Sequence, residues 1–189
     1  MNTWTSKGVF AAIALPFLAA CEDGQGGPLL KAPGKPVALS QSKMAFGAVT
    51  LVPPTGFCID KSSLKQNFAL MAPCERLGAP SAAGGAPTGI LTASFSSASS
   101  GSMPTPLDTA AALELAGVSD PVEKESGVTF RAKGKAPAKG LGTSHWRGTT
   151  QVGSQMMGLA LYGPENGRAV GSEGRAILTD LMDAMRAGS

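Results

Sequence analysis

Residues 145–162 read HWRGTTQV-GS-QMMGLALY, and these eighteen positions decide the fold. Both arms, His145–Val152 and Gln155–Tyr162, have strand character, and only Gly153-Ser154 separates them. A two-residue Gly-x linker between strands predicts a type II′ hairpin, because its first turn residue needs a positive φ that glycine adopts without steric cost. In the second arm Met157, Leu159 and Leu161 share one face, with Gly158 and Ala160 opposite. A face of small residues would let a helix approach closely. The end of the chain supplies that helix. Ser172 reads as its cap, Ile177, Leu178, Leu181, Met182 and Met185 recur at helical spacing, and Gly188 reads as its stop.

Upstream of the hairpin, Val128–Ala132 (VTFRA) reads as a strand, followed by the basic loop 133–142 (KGKAPAKGLG). Thr105-Pro106-Leu107-Asp108 is a helix start, with a capping threonine, proline at the first position and an acid in the first turn. That helix is expected to run to Gly117. Ile90–Phe95 (ILTASF) alternates and reads as a strand, as do Phe46–Val52, Phe57–Ile59 and Asn67–Ala72. Asp60 is expected to cap a short helical turn through Lys65. Residues 78–89 and 96–104 are loops by composition. Strands, a helix, more strands and a final amphipathic helix predict an α+β fold: an antiparallel sheet with helices mainly on one face. The element order over residues 46–187 is loosely similar to that of PsbP-like proteins, a likeness that carries no motif and no function.

The first 21 residues, MNTWTSKGVFAAIALPFLAAC, join a basic start at Lys7 to an uncharged run from Gly8 to Ala20. That run has the length of a signal peptide, whereas a membrane span needs about 20 apolar residues. Leu18-Ala19-Ala20-Cys21 resembles the lipobox of bacterial lipoproteins. The resemblance implies cleavage before Cys21, diacylglycerol on its sulfur and a further acyl chain such as palmitate on its amine. Two or more chains make a stable anchor where one does not. The chain is thus identified as a periplasmic lipoprotein, with a signal peptide at 1–20, lipid attachment and flexible tether at 21–45, and one domain at 46–189. Glu22 and Asp23 do not choose between inner and outer membrane.

Cleavage removes one cation, Lys7, from sixteen and leaves thirteen acids, so the mature net charge is +2. No concentrated basic patch exists to predict nucleic-acid binding. With Cys21 lipidated, Cys58 and Cys74 remain. In an oxidising compartment they are expected to form a disulfide, worth about 3 kcal/mol on chain-entropy grounds. Two cysteines and the single histidine, His145, make a poor metal set, and the spacing is unlike Cys-x-x-Cys. Met156, Met157, Met182 and Met185 read as core filler ahead of a soft-metal site. No cofactor is expected.

No Gly-x-Ser-x-Gly elbow and no phosphate-binding Gly-x4-Gly-Lys-Ser/Thr loop occurs. Ser144 and His145 are adjacent, and adjacent strand residues point to opposite faces. A triad would have to recruit a distant serine and an acid such as Asp108 or Asp120. Lys133, Lys135 and Lys139, with Arg131 and Arg147 in the flanking strands, form the strongest charge cluster, which reads first as a solvated loop and otherwise as a contact for anionic headgroups or an acidic partner. Trp146 and Tyr162 lie on facing hairpin arms, as a cross-strand pair or the floor of a pocket. The expectation is a membrane-attached binding or envelope-assembly module with an envelope protein as partner. The alternatives are an envelope-acting hydrolase with His145 as base, and a purely structural domain on a tether.

Overall fold

The Gly153-Ser154 turn joins β9 (Ser144–Val152) to β10 (Gln155–Tyr162), with Val152 facing Gln155 and pairing continuing to His145 opposite Tyr162. The computed structural model describes residues 37–80, 85–98 and 103–188. Gly153 has φ 56° and Ser154 does not share the positive sign, as the type II′ reading requires. Strand β10 also pairs with β6 (Ile90–Ser97). From there the sheet continues through β5 (Phe68–Pro73), β4 (Phe57–Asp60) and β1 (Ala38–Leu39). In the other direction it continues from β9 to β8 (Gly127–Lys133) and β7 (Ala116–Lys124). All eight strands are antiparallel to their neighbours, in the order β1-β4-β5-β6-β10-β9-β8-β7. A separate ribbon pairs β2 (Ser42–Met44) with β3 (Val49–Leu51). Among the described residues the α-helices are α1 (Pro106–Ala112) and α2 (Ser172–Ala187). The fold is therefore a large antiparallel sheet with a C-terminal helix, richer in strand than an evenly mixed α+β domain.

Alternation along the strands builds the main core. Leu91, Ala93 and Phe95 of β6 stand in register with Leu161, Leu159 and Met157 of β10, and all are buried. Leu178, Leu181, Met182 and Met185 of α2 complete the cluster, with Met44, Val49 and Leu51 contributed by the small ribbon. Each of the larger side chains among these stabilises the fold by roughly 1.5–3 kcal/mol on burial. The methionines at 157, 182 and 185 lie in this core, as expected of filler.

The helix seat differs from expectation. Helix α2 covers the Met157–Leu159–Leu161 face and leaves Gly158 and Ala160 on the other side, because burying its apolar stripe outweighs the closer approach that small residues allow. Room comes instead from Gly148 of β9, where a Cβ would stand 3.4 Å from Met182 Sδ. Gly171 is the residue that caps α2, with no side-chain bond, and Ser172 is already helical.

On the opposite face Val128, Phe130 and Ala132 of β8 form a smaller cluster with Met103, Leu115 and Val118. Met103 and Leu115 flank α1, so this shorter helix belongs to the face that α2 leaves open. Its capping box is formed: the Thr105 hydroxyl accepts from the Asp108 amide, and Asp108 accepts from the Thr105 amide. The helix ends at Ala112, before the expected Gly117, and the chain becomes edge strand β7. Two register irregularities and Pro121 interrupt that edge, features that discourage pairing with another chain.

Three further expectations are corrected. Among the described residues regular structure is present from Ala38, and buried Met44 and Ala45 belong to the core, so the domain starts ahead of Phe46. Phe46 itself lies in a 3-10 turn, Ala45–Gly47, and only Val49–Leu51 of its segment is strand. Asp60 does act as a cap, its carboxylate accepting from the Ser62 amide at 2.9 Å, but what it caps is a hydrogen-bonded turn over 61–63 and not a helix. The signal peptide, Cys21 and the tether up to residue 36 lie outside the described residues. Cys58 and Cys74 are joined as a disulfide.

Candidate functional site

Because side chains alternate along β9, the strand delivers polar groups to both faces of the sheet at one end. His145 and Arg147 face the α1 side, Ser144 and Trp146 the α2 side. The register sets Tyr162 opposite His145 and Trp146 opposite Leu161. Trp146 and Tyr162 are thus on opposite faces, correcting the expectation of a cross-strand pair. A two-residue turn fixes this register, so counting back from Gly153-Ser154 would have found the His145–Tyr162 partnership.

His145 is fully buried, and its ring stacks on Tyr162 with centroids 4.4 Å apart. Arg147 Nε donates to His145 Nε2 at 2.9 Å, and an Arg147 terminal nitrogen donates to the Tyr162 hydroxyl at 2.8 Å. With Nε2 accepting, the ring proton sits on Nδ1, which donates to the Thr143 carbonyl at 3.0 Å. Burial pushes the imidazole pKa down to about 4, the Thr143 carbonyl opposing and the Arg147 charge reinforcing the shift. Burial also lowers Arg147 from its ordinary value, partly offset by Tyr162. The imidazole is therefore neutral at neutral pH, and both its nitrogens are engaged.

That geometry bears directly on acid–base chemistry. A general base needs a free lone pair within reach of the proton it removes. The Nε2 lone pair is held by Arg147, and Ser144 lies on the other face, accepting from Arg131 at 3.3 Å. Asp108 is bound into the capping box of α1, and Asp120 stands 4.0 Å from Arg131. Neither acid is bonded to His145. Among the described residues no group of three His, Cys, Asp or Glu side chains is placed to hold a metal ion, and no helix is long and apolar enough to cross a membrane.

On the α2 side the same end of the sheet opens into a cleft of about 240 Å³. Arg131, Ser144, Glu165 and Asn166 line it, with Gly142, Gly167, Val170 and Gly171 forming the remaining wall. Arg131 is held by three contacts: Ser144, Asp120 and the Trp146 ring, whose centroid is 5.5 Å from its Cζ. Trp146 is fixed in turn by donating from Nε1 to the Gly171 carbonyl at 2.7 Å, and Arg175 of α2 lies 5.8 Å from the same ring. The Gly142 amide donates to the Gly163 carbonyl at 2.8 Å, tying the far end of the basic loop to the segment after β10. A guanidinium, a carboxylate, a hydroxyl and an amide thus converge on one opening.

The cleft brings together residues that the sequence presents separately or without signal. Arg131 reads there as a flanking cation of the basic loop, Ser144 only as a neighbour of His145, and Glu165 and Asn166 carry no signal. Lys133, Lys135 and Lys139 are all exposed. Arg131 and Arg147 do not join them in one patch, because their side chains leave the sheet on opposite faces. Comparison with known protein families, with curated proteins and with solved structures finds no match to this chain.

Proposed function

We propose that this chain is a lipid-anchored domain on the periplasmic side of the cell envelope, and that it works by binding an envelope component through the cleft beside Arg131. The lipobox-like LAAC at residues 18–21 supports the anchor, and the convergence of Arg131, Ser144, Glu165 and Asn166 carries the binding reading. A cation and a carboxylate in one small opening suit a group that both donates and accepts hydrogen bonds, such as the exposed main chain or a polar side chain of a protein partner. The opening holds one such group and leaves the rest of the partner outside. Lys135 and Lys139, on the loop that ends in the cleft wall at Gly142, supply long-range attraction for an anionic partner. Membership in an assembly follows from the anchor, which confines the domain to partners at the same membrane.

The test is crosslinking in intact cells, affinity purification from membranes and mass spectrometry, with the wild-type chain beside Arg131→Ala and Ser144→Ala. One dominant envelope partner, recovered with wild type and depleted in both variants, is expected. Equal recovery with all three chains would remove the cleft from the account. Recovery of the chain alone would overturn the binding reading.

A further inference from the structure

We propose that the turn carrying Phe46 is a second membrane contact, in which the phenyl ring enters an anionic lipid leaflet while Lys43 and Lys65 take its phosphate headgroups. Phe46 is 81% exposed, more than any other large apolar side chain among the described residues. Its exposure is built in. Ala45 and Phe46 have φ of 49° and 59°, a left-handed conformation that bulky L-residues rarely adopt. The residues before it are anchored: Met44 and Ala45 are buried, and the Ala45 amide donates to the Gln66 carbonyl at 2.8 Å. A fixed base and a left-handed tip together hold the ring outward.

The surroundings match one kind of partner. Lys43, Lys65, Leu64 and Gln66 line the shallow groove beside the ring, with no carboxylate among its lining residues. Neither lysine has an ion-pair partner among the described residues. One projecting aromatic ring beside two cations suits the bilayer interface, where the ring reaches the acyl boundary and each cation near an anionic surface adds about a fivefold gain in binding. A protein interface instead buries a cluster of anchors. The turn is also close in sequence to the proposed anchor. Val37 lies sixteen positions after Cys21 and nine before Phe46. The inference rests in this respect on the lipid anchor proposed above.

The test uses the full mature chain, reconstituted in vesicles of phosphatidylglycerol with brominated acyl chains. Phe46→Trp and, as a control, Leu107→Trp at an exposed position of α1 each add an indole to the constant background of buried Trp146. Strong quenching and a blue shift for the indole at 46, with little change for that at 107, is the expected result. Adding Lys43→Glu and Lys65→Glu to Phe46→Trp should abolish the quenching. Equal quenching at both positions, none at 46, or quenching indifferent to the lysine changes would overturn the proposal. Intact mass of the same preparation reads the anchor separately. An unacylated chain that is still quenched at 46 upholds the surface and rejects the anchor, whereas an acylated chain unquenched at 46 does the reverse.

Discussion

On the α2 face of the sheet, one apolar cluster runs from Ile59 of β4 across Met71, Leu91 and Leu161 to Leu178 and Leu181 of the helix. The opposite face is held differently. Its apolar cluster centres on Val128, Phe130 and Ala132 near α1, and two specific devices flank the long stretch that no described helix covers. Cys58, which alternates with core residues Phe57 and Ile59, carries the disulfide to Cys74 near one edge. The His145–Arg147–Tyr162 network stands nearer the other. A face held by many dispersed contacts should lose stability in proportion to the volume removed. One held by a few directed bonds should fail when a single partner is lost.

The largest effect expected is on the α2 face. Leu181→Ala should lower unfolding free energy by about 2–5 kcal/mol, read as a urea midpoint shift at constant slope. Leu181→Met should cost less than about 1.5 kcal/mol, since that face tolerates changes of shape at similar volume. Equal losses from the two variants would erase the contrast. On the other face, Cys58→Ser with Cys74→Ser should cost about 3 kcal/mol, because a separation of 16 residues is released in the unfolded chain. A loss under about 1 kcal/mol would show that the strand pairing of β4 and β5 suffices there.

The third prediction concerns pH. An unfolded histidine titrates near 6.5, whereas burial holds native His145 at about 4. Between those values the unfolded chain binds a proton that the native chain refuses, so this contribution is complete above pH 6.5 and fades as pH falls toward 4. The fall should be on the order of 2 kcal/mol after allowance for partial screening, and His145→Asn should remove that part of the slope. Parallel pH profiles for the two chains would show that His145 is not the sensor. The smallest effect is at α1, where Thr105→Ala should cost about 1 kcal/mol through loss of the cap.

The α2 face is legible in the sequence because burial on one side writes itself into periodicity: Leu91, Ala93 and Phe95 alternate, and the stripe from Ile177 to Met185 has helical spacing. The hairpin is legible because Gly153-Ser154 admits few turns. What escapes is structure without a period. Strand β7 contains Gly117, Asp120 with positive φ and Pro121, and its irregular register breaks the alternation that marks a strand. Phe46 reads as a strand residue because apolar type alone does not reveal a left-handed backbone. Of the cleft, only Arg131 and Ser144 stand out in the sequence, for other reasons. Glu165 and Asn166 join them only because β10 returns the chain to the end of the sheet where β9 starts and its neighbour β8 finishes, a juxtaposition that depends on tertiary path and not on spacing.

The central functional claim is that the domain is held at a membrane by lipid on Cys21. Intact mass spectrometry of the protein extracted from membranes tests it most directly. The account predicts a chain beginning at Cys21 and heavier than its sequence by a diacylglycerol group, with a further acyl chain on the amine. A chain that keeps residues 1–20, or one that starts elsewhere and carries no lipid, would contradict it.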